Sequence, residues 1–188
     1  MLNHKGTKKI ETERLILREF KEEDASDMYN NWASDSDVTK YLSWSAHSSV
    51  EISKQLIGMW IDSYNNMEHY QWAIELKETG EVIGNINLLE INNKDENCEV
   101  GYCLGKAFWN KGIMSEALAK VIKFGFSEIG FQRIAARFDV YNLASGRVME
   151  KCNLMYEGTL RKIARHNKGT LIDCKYYSIL KDEYSKEQ

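Results

Sequence analysis

At 188 residues, with 43% hydrophobic and 28% charged residues, the chain has the size and composition of one ordinary globular domain. Its net charge of −3 argues against a general nucleic-acid or membrane-surface binder. No apolar run approaches the roughly 20 residues of a membrane-spanning helix. Cys98, Cys103, Cys152 and Cys174 lack C-x-x-C spacing, and no two histidines stand at ligand spacing, so no metal site is expected. The basic start, Met1 to Lys9, is not followed by an apolar segment. It therefore does not read as a secretory signal, and four reduced thiols in a cytoplasmic protein are the expectation. No repeat, low-complexity tract or linker divides the sequence, which implies a single domain over 1–188 with its core over roughly 10–181.

In chain order, Ile10 to Phe20 reads as a strand with Leu15 and Leu17 on one face. Lys21 to Ala33 carries Ala25, Met28, Tyr29 and Trp32 at helical spacing. Ser48 and Glu51 form a capping-box pattern, ahead of a helix whose Val50, Leu56, Ile57, Trp60, Ile61 and Tyr64 mostly follow the 3.6 period. Gln71–Lys77 and Glu81–Leu89 read as strands joined by the hairpin signal Glu78-Thr-Gly-Glu81. A polar loop, Asn92 to Asn97, leads to a strand over Cys98–Leu104. Past a loop around Gly112, a helix shows Leu118, Val121, Ile122 and Gly125 on one face and stops at Gly130. Gln132 to Val140 alternates as a strand, Leu143 to Cys152 is a short helix ended by Asn153, and Met155–Arg165 and Thr170–Leu180 are the last strands. The fold class implied is mixed α/β (α+β), with a largely antiparallel central sheet of about seven strands and about four flanking helices.

The segment Phe108-Trp-Asn-Lys-Gly-Ile-Met-Ser-Glu-Ala-Leu118 is the most informative. A strand, a loop built on Gly112 and a helix can turn several backbone N–H groups toward one point at the positive end of the helix. That binds phosphate without a basic side chain. One glycine before a helix also fits an ordinary turn. The pattern is neither a Walker loop nor a three-glycine dinucleotide fingerprint. Downstream, Asn142 and Ser145 follow a strand and open a helix, at the end of the next strand. Asn142 is equally suited to capping that helix.

The segments Glu13-Arg-Leu-Ile-Leu-Arg18, Asp24-Ala25, Val38 to Trp44, Glu99-Val-Gly-Tyr102, Lys111 to Leu118, Asn142-Leu-Ala-Ser145 and Glu150 to Gly158 appear in the order seen in the GNAT N-acetyltransferases. The chain resembles in particular the Rim-type branch, the ribosomal-protein-serine/alanine N-acetyltransferases. The resemblance implies a GNAT-like sheet and acetyl-CoA as donor. It places the donor's pyrophosphate on the loop of Asn110, Lys111, Gly112, Ile113, Met114 and Ser115, with Cys103, Leu104, Asn142 and Ser145 along the cofactor. Trp109 and Met114 depart from the usual loop pattern, and Met114 is expected to turn its side chain into the core.

Amide formation from a thioester needs a neutral amine, a stabilised carbonyl oxygen and a protonated leaving thiolate. An α-amino group, with a pKa of about 7.7–8.0, is about one-tenth neutral at pH 7, whereas a lysine amine near 10.4 almost never is. The catalytic candidates are Glu99, to hold a water or the amine, and Ser145, to serve the thiolate. The helix position where many family members carry a tyrosine falls at about Met149, which cannot donate a proton. A backbone N–H between Tyr102 and Leu104 is the expected oxyanion donor. Tyr41, Trp44 and Tyr102 are candidates for the acceptor mouth, and Trp72 for the core. The expected reaction is acetylation of a primary amine, foremost a protein or peptide N-terminal α-amino group. The alternatives are a small-molecule amine (polyamine, amino acid or aminoglycoside), for which Asp35 and Asp37 could draw a cation, and a non-catalytic acyl-CoA sensor. The apolar final strands would suit a homodimer.

Overall fold

The structure is a computed structural model that describes residues 1–185; the last three residues of the expected 1–188 domain lie outside the described residues. The alternation read from Ile10 to Phe20 holds, but it makes two strands rather than one, β1 (Ile10–Glu11) and β2 (Leu15–Arg18). The chain reverses between them because Thr12 supplies its own turn. Its hydroxyl accepts the Leu15 N–H at 2.8 Å and its N–H donates to the Leu15 carbonyl at 3.0 Å. Leu15 and Leu17 are fully buried on one face.

The first helical run is continuous but mixed. A 3₁₀ turn over Glu22–Asp24 leads into α1 (Ala25–Met28) and then a π turn over Tyr29–Ala33, which seats Trp32 and Ala33 in the core. The next helix, α2 (Val50–Ser63), takes Ser49 as its N-cap, not Ser48. The expected capping box does not form, since the Ser49 side chain makes no capping bond; the Ser49 hydroxyl instead bonds the Glu51 carboxyl and holds it below its ordinary value. Strands β3 (Tyr70–Leu76) and β4 (Val82–Asn92) form the expected hairpin. Then come β5 (Asn97–Leu104), α3 (Ile113–Phe124) and β6 (Arg133–Asp139). A π turn extends α3 through Ile129 to Gly130, whose φ of 97° ends it. The chain continues with α4 (Leu143–Lys151), β7 (Met155–Arg165), β8 (Leu171–Leu180) and α5 (Lys181–Ser185).

The eight strands form one sheet in the order β1-β2-β3-β4-β5-β6-β8-β7. Its larger core, including Ile86, Leu118, Val121, Ile122, Phe131 and Ile134, packs α3 and α4 on one face. A second core packs α1 and α2 on the other, with Phe20, Met28, Trp32, Ile57 and Val82. Trp72 is wholly buried, as the core reading expected, and its indole N–H donates to the Lys8 carbonyl at 2.7 Å.

Every neighbouring pair is antiparallel except β5 and β6. That pair is joined only where Asn97–Glu99 meets Arg133–Ala135. Beyond Glu99 the two strands part. β5 runs on along β4 to Leu104, and β6 runs on along β8 to Asp139. The sheet thus opens along a seam at its centre.

Candidate active site

The seam is a cleft of about 440 Å³. Its walls are Val100–Leu104 of β5, Arg137–Asp139 of β6, Phe108–Asn110 and Gly112–Ser115 of the loop, one side of α4, and Asp37, Val38, Tyr41 and Leu42 from the segment after α1. The Gly105 N–H bonds to the Ile83 carbonyl at 2.8 Å, which fixes the phase of the β4–β5 ladder. By its alternation, the amides of Val100, Tyr102 and Leu104 face away from β4, toward the seam.

Gly112 is the N-cap of α3 at φ 75°, a conformation that a glycine adopts without cost. The first intrahelical bond is Glu116 N–H to the Gly112 carbonyl at 3.0 Å. The amides of Ile113, Met114 and Ser115 precede it and have no partner within the helix. They meet the cleft at the positive end of a twelve-residue helix, and this arrangement fits a phosphate. Met114 is 5% exposed and packs in the larger core, so its bulk is turned away from the loop's mouth. Trp109 clamps the loop to the end of β5, its indole N–H donating to the Leu104 carbonyl at 2.8 Å.

From the other side the loop is braced by Arg14. Its Nη1 donates to the Lys111 carbonyl at 2.9 Å and its Nε pairs with Glu116 Oε2 at 2.7 Å. The Arg14 N–H and the Thr12 hydroxyl both donate to Glu116 Oε1. Burial alone would raise the Glu116 carboxyl, but Thr12 and Arg14 more than offset it, and it sits below its ordinary value. The first segment of the sequence thus holds the loop in shape. The Glu13–Arg18 motif was the visible signal for this, without indicating the contact.

On the opposite wall Asn142 is the N-cap of α4, accepting the Ser145 N–H on its side chain at 3.4 Å. Tyr102 reaches across the seam, its hydroxyl 2.9 Å from Ser145 Oγ and 3.1 Å from the Ser145 carbonyl. Gly146 lets α4 lie against β6, since a Cβ there would come 2.7 Å from the Phe138 ring. Met149 is buried in the larger core. Arg147 and Lys151, one turn apart on α4, also line the cleft and were not singled out in the sequence.

Even-numbered β5 residues join the core under α3, whereas Cys103 joins the core under α1 and α2. Glu99 is therefore on the second face, opposite Ser145. It does not line the cleft; it stands where the strands begin to part, with Oε2 3.3 Å from Arg137 Nε. Arg137 also donates to the Tyr176 hydroxyl at 2.9 Å. On this face the segment after α1 is tied to the β7–β8 turn. The Asn167 side chain donates to the carbonyls of Thr39 and Trp44 at 3.0 and 3.1 Å, and its N–H to that of Leu42 at 3.2 Å.

The cleft brings together Cys103, Leu104, Asn110, Gly112, Ile113, Met114, Ser115, Asn142, Ser145, Tyr41 and Tyr102. It does not include Lys111, whose ammonium lies over the Phe108 ring. Trp44 is also outside, packed beside His47. Burial pushes the Cys103 thiol up to about 12, so it stays a protonated wall residue.

The chain has relatives in sequence and in structure. The uncharacterized N-acetyltransferase p20 of Bacillus licheniformis is 36% identical over 93% of this chain and 97% of its own length. The uncharacterized N-acetyltransferase YoaA of Bacillus subtilis is 34% identical over 92% and 96%. A crystal structure of a GNAT-family acetyltransferase from Bacillus anthracis superposes with a TM-score of 0.81 at 30% identity, covering 94% of this chain and all of that one. The family model for the acetyltransferase (GNAT) domain matches residues 14–155, from the bracing Arg14 through the loop and α4 to the start of β7, and the chain belongs to that family of acetyltransferase enzymes.

Proposed function

We propose that this enzyme transfers the acetyl group of acetyl-CoA to an α-amino group at the N-terminus of a protein or peptide. The first-turn amides of α3 hold the pyrophosphate, and Arg147 and Lys151 add positive charge along the same wall. The thioester lies in the seam, with the outward amides of β5 near its carbonyl oxygen and Ser145 near its sulfur. Glu99, on the second face, orients the amine or a water beside it.

The observation that carries the acceptor class is the charge balance on that second face. Glu99 is engaged by Arg137, and Asp37 is paired with Lys106. Asp35 accepts the Asp37 N–H at 2.7 Å. Two of the acids that could have gathered a polyamine or an aminoglycoside, Glu99 and Asp37, are thus paired with cations, which weakens the polycation reading, while Asp35 keeps its charge. An α-amino group is about one-tenth neutral at pH 7 and needs little help to attack.

The test is a panel of N-terminal peptides, Nα-blocked lysine peptides, amino acids and polyamines with acetyl-CoA, read by thiol release. Free N-termini should turn over fastest. Faster turnover of polyamines would give the small-molecule reading instead, and acetyl-CoA binding without thiol release across the panel would favour the sensor. Glu99→Gln and Ser145→Ala should each slow turnover by about tenfold or more while leaving acetyl-CoA affinity within about twofold.

A further inference from the structure

Tyr102 was expected at the acceptor mouth; it lines the cleft, and its hydroxyl bonds to Ser145 of α4. It approaches two oxygens of Ser145, the carbonyl at 3.1 Å and Oγ at 2.9 Å. The carbonyl of Ser145 lies in the first turn of α4 and is the helical acceptor for the Met149 N–H, four residues on. That carbonyl keeps a second lone pair and also accepts from the Tyr102 hydroxyl. The contact to Oγ is the shorter of the two, so the phenolic proton is shared by both oxygens with Oγ the nearer, and the serine hydroxyl has one proton of its own to donate. With its oxygen accepting from Tyr102, that proton is turned away from Tyr102 and toward the cleft, which both residues line. Burial raises the Tyr102 phenol above its ordinary range, so it remains a donor wherever the enzyme works.

We infer that Tyr102 is a positioning residue, fixing the hydroxyl rotor of Ser145 so that its proton points at the sulfur of a bound coenzyme A thioester. The inference rests on the reading that Ser145 serves the sulfur. The dyad delivers a hydrogen bond, not a proton. When the C–S bond breaks and its electron pair goes to sulfur, Ser145 stabilises the charge. The proton that finally reaches the sulfur is the one lost by the acceptor amine. Met149 leaves this helix without a proton donor in the slot where many relatives carry a tyrosine. Here a tyrosine from the facing strand acts through a serine.

The test uses the free thiol of bound coenzyme A, which needs no acceptor. Its ionisation is followed by thiolate absorbance as a difference spectrum against protein alone. The reference is free coenzyme A titrated in the same way. In the wild-type complex the value should fall by about one unit, as expected for a donor aimed at the charged form. Ser145→Ala should abolish the shift, and Tyr102→Phe, which keeps the ring and its packing, should remove at least about half of it. The double variant should match Ser145→Ala, because Tyr102 acts only through Ser145. In turnover, Tyr102→Phe should lower kcat about tenfold with KM for acetyl-CoA within about twofold. A wild-type thiol that ionises like free coenzyme A would overturn Ser145 as donor and the inference with it. A lowered wild-type value that Tyr102→Phe leaves in place would overturn the role of Tyr102 alone. A Tyr102→Phe loss that persists in full in the Ser145→Ala background would mean that Tyr102 acts on the fold.

Discussion

Gly112 and Arg14 are 98 residues apart in sequence and together shape one loop. Gly112 supplies the left-handed turn at φ 75°, which costs a residue with a Cβ about 1–2 kcal/mol. Gly112→Val should therefore weaken acetyl-CoA binding by about tenfold, as read by isothermal titration. Arg14 ties the Lys111 carbonyl to Glu116, and Arg14→Ala should raise the acetyl-CoA Kd about fivefold or more, with the overall fold retained by circular dichroism. Gly112 was legible in the sequence because a glycine between a strand and a helix is a local pattern. Arg14 was visible only as part of a motif, since its partner Glu116 stands 102 positions away. Asn142 showed the reverse ambiguity. Both of its readings were open, and the structure gives it the capping bond and a place on the cleft wall.

The elements that carry the site depend on close contacts. Gly146 allows α4 to approach Phe138, and Gly146→Ala should cost about 1–3 kcal/mol of stability through overpacking. That cost is measurable as a lower urea midpoint, with a parallel loss of acetyl-CoA affinity as α4 shifts. The start of α3 is pH-sensitive through Glu116. Its folded-state pKa lies below the ordinary 4.5, so its contribution is present above that value and is lost as pH falls through the folded one. Replacing Glu116 with Gln should flatten the decline of the urea midpoint below about pH 4.5 relative to wild type. Helix and strand identities followed from periodicity nearly throughout, because burial on one face imposes a period. The exceptions were local side-chain chemistry. Thr12 folds its own turn and divides a predicted strand, and Ser49 takes the cap from Ser48.

For the molecule as a whole, the network around Arg18 joins the N-terminal strands to the first helical run. Arg18 donates to both oxygens of the buried Asp24, at 2.7 and 2.9 Å, and to Glu75 on β3. Asp24→Ala should destabilise the protein by about 3 kcal/mol, because Arg18 is left half-compensated in a partly dry site; a denaturant titration measures it. The long-range pairings Glu99–Arg137, Tyr102–Ser145 and Arg14–Glu116 were invisible in the sequence, since each depends on the order in which the sheet places its strands. The antiparallel character and the single central crossover were legible from chain order, but the insertion of β8 between β6 and β7 was not.

The parting of β5 from β6 beyond Glu99 has a consequence for endurance as well as for catalysis. The two blocks of the sheet lack the rungs that would normally join them across its middle. The pantetheine arm of acetyl-CoA carries amides of its own, and bound in the seam it can take the place of those rungs. The donor should then act as a splint, raising the melting midpoint with the logarithm of its concentration above Kd. The amides of Tyr102 and Leu104 should exchange quickly with deuterium in the free enzyme and slowly once it binds.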